Sequence, residues 1–227
     1  MRTILCLMPA LIGLAPAVST GQSPATASRP PAIAMPTDRA ADSYAIYSSL
    51  IPLGETAGQD WPHDFWLARD ATVEVVPADQ PCRAEPGKEN QFDMNPHIGV
   101  HPTKDREKDF EEILEDFDAH CHDRVALSAT AWQTVAPVRL LTPAEQQEFR
   151  ATRDTVVGAT SEAARKYKGA PALYGFSEVY FNLHRTVALV YATHWCGGLC
   201  GQGFWVALAL DGGQWKRLKW DATTWIS

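Results

Sequence analysis

The sequence predicts an α+β fold, with N-terminal helices and short strands packed on a C-terminal four-stranded antiparallel β-meander. Three observations carry that expectation. Residues 104–121 place apolar side chains at helical spacing. The run LTPAEQQEF opens with the residues of a capping box. From Tyr174 onward the pattern changes to short apolar runs separated by turn-like segments, which is the signature of a meander beside helices.

The 227 residues divide into three expected parts: a signal peptide at 1–21, a Pro/Ala/Ser-rich tether at 22–37, and one α+β domain at 38–227. Arg2 precedes an apolar run from Ile4 to Val18, and small residues follow it. That run is shorter than the roughly 20 residues a spanning helix needs and holds Pro9 and Pro16, so a cleaved export signal is expected rather than an anchor. Cleavage falls after Ser19 or Gly21. Residues 20–37 hold four prolines and no apolar period, as a flexible or polyproline-like tether does.

The elements of the domain follow in order. DRAADSYAIYSSLI sets Tyr44, Tyr47, Leu50 and Ile51 on one helical face, with Thr37 or Asp38 as cap and Pro52 and Gly54 as stop. DFWLARDATVEVVP is β-rich and reads as one or two strands. Residues 77–103 hold five prolines and read as a loop, long enough to need a tie at Cys82. Phe110, Ile113, Leu114, Phe117 and Cys121 form the stripe of the next helix, capped by Thr103, with an acidic opposite face of Glu111, Glu112, Glu115, Asp116 and Asp118. That face lacks a calcium-loop pattern and reads as a solvated surface. AWQTVAPVRLL reads as a strand. Thr142, Pro143 and Glu145 then start a helix, and SEAARKYKG is a second, short one. The meander covers about 174–227: FSEVYF, TVALVYAT, GFWVALAL and WKRLKW, joined by NLHR, HWCGGLCGQ and DGGQ. Its middle strands are apolar on both faces and therefore need cover on both.

This last part, through Ser177, Val179, Phe181-Asn182, Ala188-Leu189-Val190-Tyr191, Cys196-Gly197, Leu199-Cys200-Gly201, Gly203, Gly213, Trp215 and Trp225-Ile226-Ser227, resembles a C-terminal module of uncharacterised exported bacterial proteins. The likeness covers about 50 residues and implies export and a sheet, not a mechanism. The strand–turn–strand ending is also similar to cystatin-like and NTF2-like sheets, which is a likeness of fold only.

Chemistry is concentrated in HWCGGLCGQG. Removal of the signal takes Cys6 and leaves Cys82, Cys121, Cys196 and Cys200, an even number suited to disulfides in an oxidising compartment. Of three pairings, Cys196 with Cys200 and Cys82 with Cys121 is preferred. On the chain-entropy model the short loop contributes about 2 kcal/mol and the long one about 4. A redox site would favour C-x-x-C spacing. Zinc on Cys196, Cys200 and His194 would lack a second ligand pair nearby, so no metal and no cofactor is expected. His120 and His122 flank Cys121 at a helix end, where the dipole favours them. His97 and His101, with Asp93, have ligand-like spacing but sit among prolines and a glycine.

No nucleophile elbow, H-E-x-x-H or P-loop is present. Ser177 and Glu178 point to opposite faces of one strand and serve one site only across a bulge. The net charge of −7 argues against nucleic acid as a partner. The expected function is therefore a periplasmic or secreted, non-catalytic binding or envelope-associated domain. Its partner is a protein, peptide or glycan, it keeps no membrane span after cleavage, and its ligand surface is at His194, Trp195 and Trp205. The alternative is an extracytoplasmic hydrolase using His194 or His184.

Overall fold

In the computed structural model, β8 (Val187–Gly197) and β9 (Cys200–Asp211) form one long antiparallel hairpin around which the other elements assemble. The structure describes residues 31–51, 64–83, 94–153, 160–198, 200–222 and 224–226. The expected signal peptide and the first part of the tether lie outside them. Along β8 the residues from Val187 to Ala192 are buried without a break, so both faces of the hairpin need cover, as their apolar character requires.

The hairpin is the middle of a mixed eight-stranded sheet. On one side β9 pairs with β10 (Gln214–Arg217) and, farther toward the tip, with β12 (Thr224–Ile226). On the other side β8 pairs with β7 (Tyr180–Phe181) and β6 (Leu173–Phe176). The sheet then continues, in parallel, through β2 (Trp66–Arg69) to β5 (Val138–Leu141). The fold is α+β with antiparallel strands at the C-terminus, but the earlier strands are not a layer packed on that sheet. They are hydrogen-bonded into it. Trp66 and Ala68 face one core while Leu67 faces another, so β2 has the same two-sided need for cover as β8.

Side-chain alternation sorts the core into two faces. On one face α1 (Thr37–Leu50) lays Ile46, Tyr47 and Leu50 over Ala188, Val190 and Leu208. On the other, α3 (Glu107–His120) packs Phe110, Ile113 and Phe117 on Val187, Leu189 and Trp205. Beside it α4 (Pro143–Ala151) and α5 (Ser161–Lys166) cover Leu67, Leu141 and Leu173 with Phe149, Ala163 and Tyr167. The capping box at Thr142 and Glu145 is formed as expected. Thr103 makes no side-chain cap bond, and a 3-10 turn (Lys104–Arg106) precedes α3. Pro36, not Thr37 or Asp38, is the residue before α1.

Three segments differ from their sequence reading. Ile33–Ala34 (β1) pairs in parallel with Val125–Ala126 (β4), so the end of the expected tether is tied down before α1 starts. Pro31–Ser227 form one compact unit. The prolines of 77–103 do not exclude local order: Pro96–Gly99 (α2) is a short helix capped by the Asn95 side chain, and Val100–His101 (β3) pairs with Asp221–Ala222 (β11). The segment HWCGGLC is ladder almost to its tip, with the register shifting only between Trp195 and Gly197.

FSEVYF is the most consequential departure. Phe176 faces Ala192 and Tyr180 faces Leu189, so four steps on one strand match three on the other. One residue is inserted, and Ser177–Val179 form a β-bulge between β6 and β7. Ser177 satisfies the bulge from within: its backbone N–H donates to Tyr191 O, its hydroxyl accepts from Tyr191 N–H, and it donates to Glu178 O.

Covalent and aromatic staples fix the periphery. Cys82–Cys121 and Cys196–Cys200 are the two disulfides, with Cα–Cα distances of 5.9 and 5.1 Å. At the far edge the Trp225 indole donates to the Tyr191 hydroxyl across Gly203. A Cβ at Gly203 would lie 2.1 Å from the indole nitrogen and 2.2 Å from that hydroxyl. Only glycine leaves room for the closure.

Gly203→Ala is expected to destabilise the protein by about 1–3 kcal/mol through this overpacking, whereas Gly198→Ala, which meets nothing within 4 Å, leaves the urea midpoint unchanged. Equal midpoints for the two variants would refute the closure. Replacing Cys82 and Cys121 by serine is expected to cost about 4 kcal/mol and replacing Cys196 and Cys200 about 2. Urea titration of the two double variants checks that order.

Candidate functional site

The chemistry lies where the bulge, α1 and α3 meet. Arg39 sits on the buried stripe of α1, in line with Ser43, Ile46 and Leu50. Its guanidinium donates to the Asp116 carboxylate at 2.5 Å and to Val179 O at 2.6 Å, and it pairs with Glu178 Oε1 at 3.2 Å. It also lies over the Phe181 ring. Asp116, on α3, accepts from Phe181 N–H as well, and its carboxylate is 3.1 Å from His120 Nδ1. One cation therefore joins the helix on one face of the sheet to the helix on the other, through the backbone of the bulge.

Glu178 is the strained member. It is 2% exposed, and its Oε2 has no hydrogen-bond partner among the described residues. Burial pushes its carboxyl up to about 7, while Arg39 and, more weakly, His120 pull the other way. A buried carboxylate with one unsatisfied oxygen holds its proton near neutrality.

Outside this network an open cleft of about 760 Å³ separates the start of α1 from the outer face of α3. Its wall on α3 is Lys108, Glu111, Glu112, Glu115, Asp116 and His120. Phe181 at the end of β7 and Asn182, Leu183 and Arg185 in the turn after it close the end. That turn is built by Asn182, whose side-chain oxygen accepts from Thr186 N–H and Val187 N–H while its amide reaches Asp109. Leu183 N–H donates to Glu112. Arg185 takes a positive φ of 52°, the one non-glycine residue to do so among the described residues. Its guanidinium is held by the backbone oxygen and carboxylate of Asp38, and this hydrogen bonding keeps the Asp38 carboxyl below the usual range. An arginine held in a conformation that favours glycine marks the rim of the cleft as a constrained position.

The charges of the cleft are unequally engaged. Arg39 and Arg185 are taken by protein acceptors, and Lys108 lies 3.8 Å from Glu112. Glu111 and Glu115, one helical turn apart, have no ion pair among the described residues, and Leu183 is 78% exposed beside them. The cleft thus offers two free carboxylates and an apolar side chain, and keeps its own cations occupied.

The residues expected to form a ligand surface do not form one. Trp205 is core: it packs against Phe117, Tyr180 and Tyr191 and donates to Met94 O at 2.8 Å. His194 and Trp195 point to opposite faces because they are consecutive on a strand. Trp195 packs on Phe149 with Arg150 over its ring, while His194 lies beside Tyr174 and is 7% exposed. Burial lowers the His194 pKa, and its Nδ1 has no hydrogen-bond partner among the described residues. His184 is exposed, ten residues away at the other end of β8, so the two histidines of the hydrolase reading occupy separate places. Ser177 is fully buried, with its hydroxyl engaged in the bulge. His97 bonds Asp118 at 2.7 Å, His101 lies on β3, and Asp93 is outside the described residues.

Sequence reading missed Arg39, Arg185 and the partnership with Glu178. The signal for the first was present: an arginine on the apolar stripe of a helix requires a buried acceptor. Glu178, the one carboxylate in the buried run from Ala172 to Asn182, is the natural candidate.

The raised Glu178 pKa has a stability consequence of definite sign. The folded chain keeps this proton up to about pH 7, whereas the unfolded chain releases it near 4.5. Stability therefore falls as pH rises between those values, by at most about 3 kcal/mol, and is flat with respect to this group on either side. Glu178→Gln is expected to remove that decline. Urea unfolding of both proteins at pH 4.5, 6 and 8 measures it, and an unchanged slope in the variant would show that Glu178 is not its source. No family model matches this chain, and no curated protein or solved structure matches it either.

Proposed function

We propose that this protein is an exported, non-catalytic binding domain. Its ligand seat is the cleft between α1, α3 and the turn after β7, and its occupant is a peptide or protein segment presenting a lysine or arginine. The observation that carries the reading is the imbalance in the cleft: its arginines are taken internally, and Glu111 and Glu115 are not. Two like charges one turn apart are mildly unfavourable on a bare helix. A bound cation relieves them, and Leu183, 78% exposed, supplies apolar contact for the stem of a long basic side chain.

Export is supported by three features. Residues 1–21 read as a cleavable signal, the C-terminal strands resemble a module of exported bacterial proteins, and two disulfides suit an oxidising compartment. Among the described residues no helix is long and apolar enough to cross a membrane. The periplasm or the exterior is the proposed location.

Calorimetric titration with short peptides of equal length, one carrying lysine and arginine and one carrying aspartate and glutamate, tests the seat. The basic peptide is expected to bind and the acidic one not to. Glu111→Gln with Glu115→Gln is expected to weaken binding by about 5–10-fold, as two partly exposed charge pairs would. Equal binding of both peptides, or an unaffected double variant, would place the ligand elsewhere.

A further inference from the structure

One cluster outside the cleft has a chemistry of its own. His122 follows Cys121 at the end of α3, and a nitrogen of its ring lies within 4.8 Å of the sulfurs of both Cys82 and Cys121. Among the described residues it is the one group of three cysteine, histidine or carboxylate side chains with all ligand atoms that close together. In the disulfide the sulfurs are joined to each other and offer no thiolate.

We propose that Cys82, Cys121 and His122 form a zinc site in the reduced protein, so that the disulfide is the metal-free form of a redox-gated metal centre. Two thiolates and one imidazole are a soft donor set suited to Zn²⁺, and a water completes the tetrahedron. The two negative sulfurs neutralise the ion. Opening follows ordinary exchange: a dithiol reductant passes two electrons and two protons to the sulfurs and becomes a disulfide itself. Zinc then displaces the two thiol protons into solvent.

The backbone on both sides of the pair is held without the S–S bond. Asn95, 5% exposed, donates from its amide to Cys82 O at 2.7 Å, and its side-chain oxygen caps α2 by accepting from His97 N–H. Cys121 belongs to the end of α3, where the Asp123 N–H donates to His120 O in the following turn. Cys121 is 2% exposed within the core under α3, while His122 is exposed. The sulfurs are thus presented from the protein side, and the imidazole closes the site from the solvent side. Reduction leaves the two thiols near each other instead of releasing a 39-residue loop at random.

The test uses the full mature chain carrying Cys196→Ser and Cys200→Ser, so that one pair alone reports. Zn²⁺ is titrated into oxidised and dithiol-reduced protein, with stoichiometry read by native mass spectrometry and melting temperature followed in parallel. Reduced protein is expected to take up one zinc and to melt higher with it, and oxidised protein to take up none. Adding His122→Ala is expected to weaken the reduced site at least about tenfold. Three results would overturn the proposal: no zinc on reduced protein, equal uptake by the His122→Ala variant, or one equivalent on oxidised protein. Should reduction alone unfold the chain, zinc that restores a His122-dependent melting transition supports the site. Uptake without that restoration overturns it.

Discussion

Everything around the cleft depends on one buried guanidinium. Arg39 belongs to the helix on one face of the sheet, Asp116 to the helix on the other, and Val179 to the bulge between them. Burying a cation is costly unless every donor finds an acceptor, and removing one partner of such a pair typically costs 3–5 kcal/mol. The acceptors here come from two elements, α3 and the bulge, and the cation from a third, α1. Arg39 can therefore be satisfied only when all three are in place. The network adds modestly to net stability and strongly to uniqueness: a layer shifted by one helical turn leaves a charge unpaired.

The periphery is held by different means. The sheet interior is closed by packing, with Leu189, Ala188 and Val190 wholly inaccessible. The outer parts have little such packing, and each carries a specific fastening. Cys82–Cys121 ties a proline-rich segment to the end of α3, Cys196–Cys200 closes the hairpin tip, and the Trp225 indole lies over Gly203. A short hairpin loop gains little entropy from its bridge, so the bond at the tip mainly sets loop shape, whereas the longer one restricts the unfolded chain far more.

Much of the fold was legible in the residues. The stripe of α3, the capping box of α4 and the two-sided apolar character of β8 and β9 each state a local rule that the structure obeys. The cysteine pairing followed from chain proximity and an even count. The parallel partnership of β2, β5 and β6 was not legible, because Trp66–Arg69 and Val138–Leu141 are too short to declare their neighbours. Nor was the candidate site. Tryptophans drew attention to the hairpin, yet Trp205 is spent on packing; the acidic face of α3 read as plain solvated surface because its opposite wall comes from residues 36–39, nearly seventy positions earlier. Charge pairs across such separations leave no periodicity to detect.

The inserted residue at Ser177–Val179 also bears on what changes of length the chain can absorb. Loops at the surface usually accept an added or deleted residue with small effect. Here the count is fixed by what the bulge supplies to Arg39 rather than by pleating. Deleting one residue would restore regular alternation and leave Tyr180 opposite Leu189 and Phe181 opposite Ala188, each still facing its present core. What the deletion would take away is the bulge itself, where Val179 O and the Glu178 carboxylate both reach Arg39. Three residues with no regular secondary structure are thus as constrained in number as any strand, and among related chains this segment would vary in identity well before it varied in length.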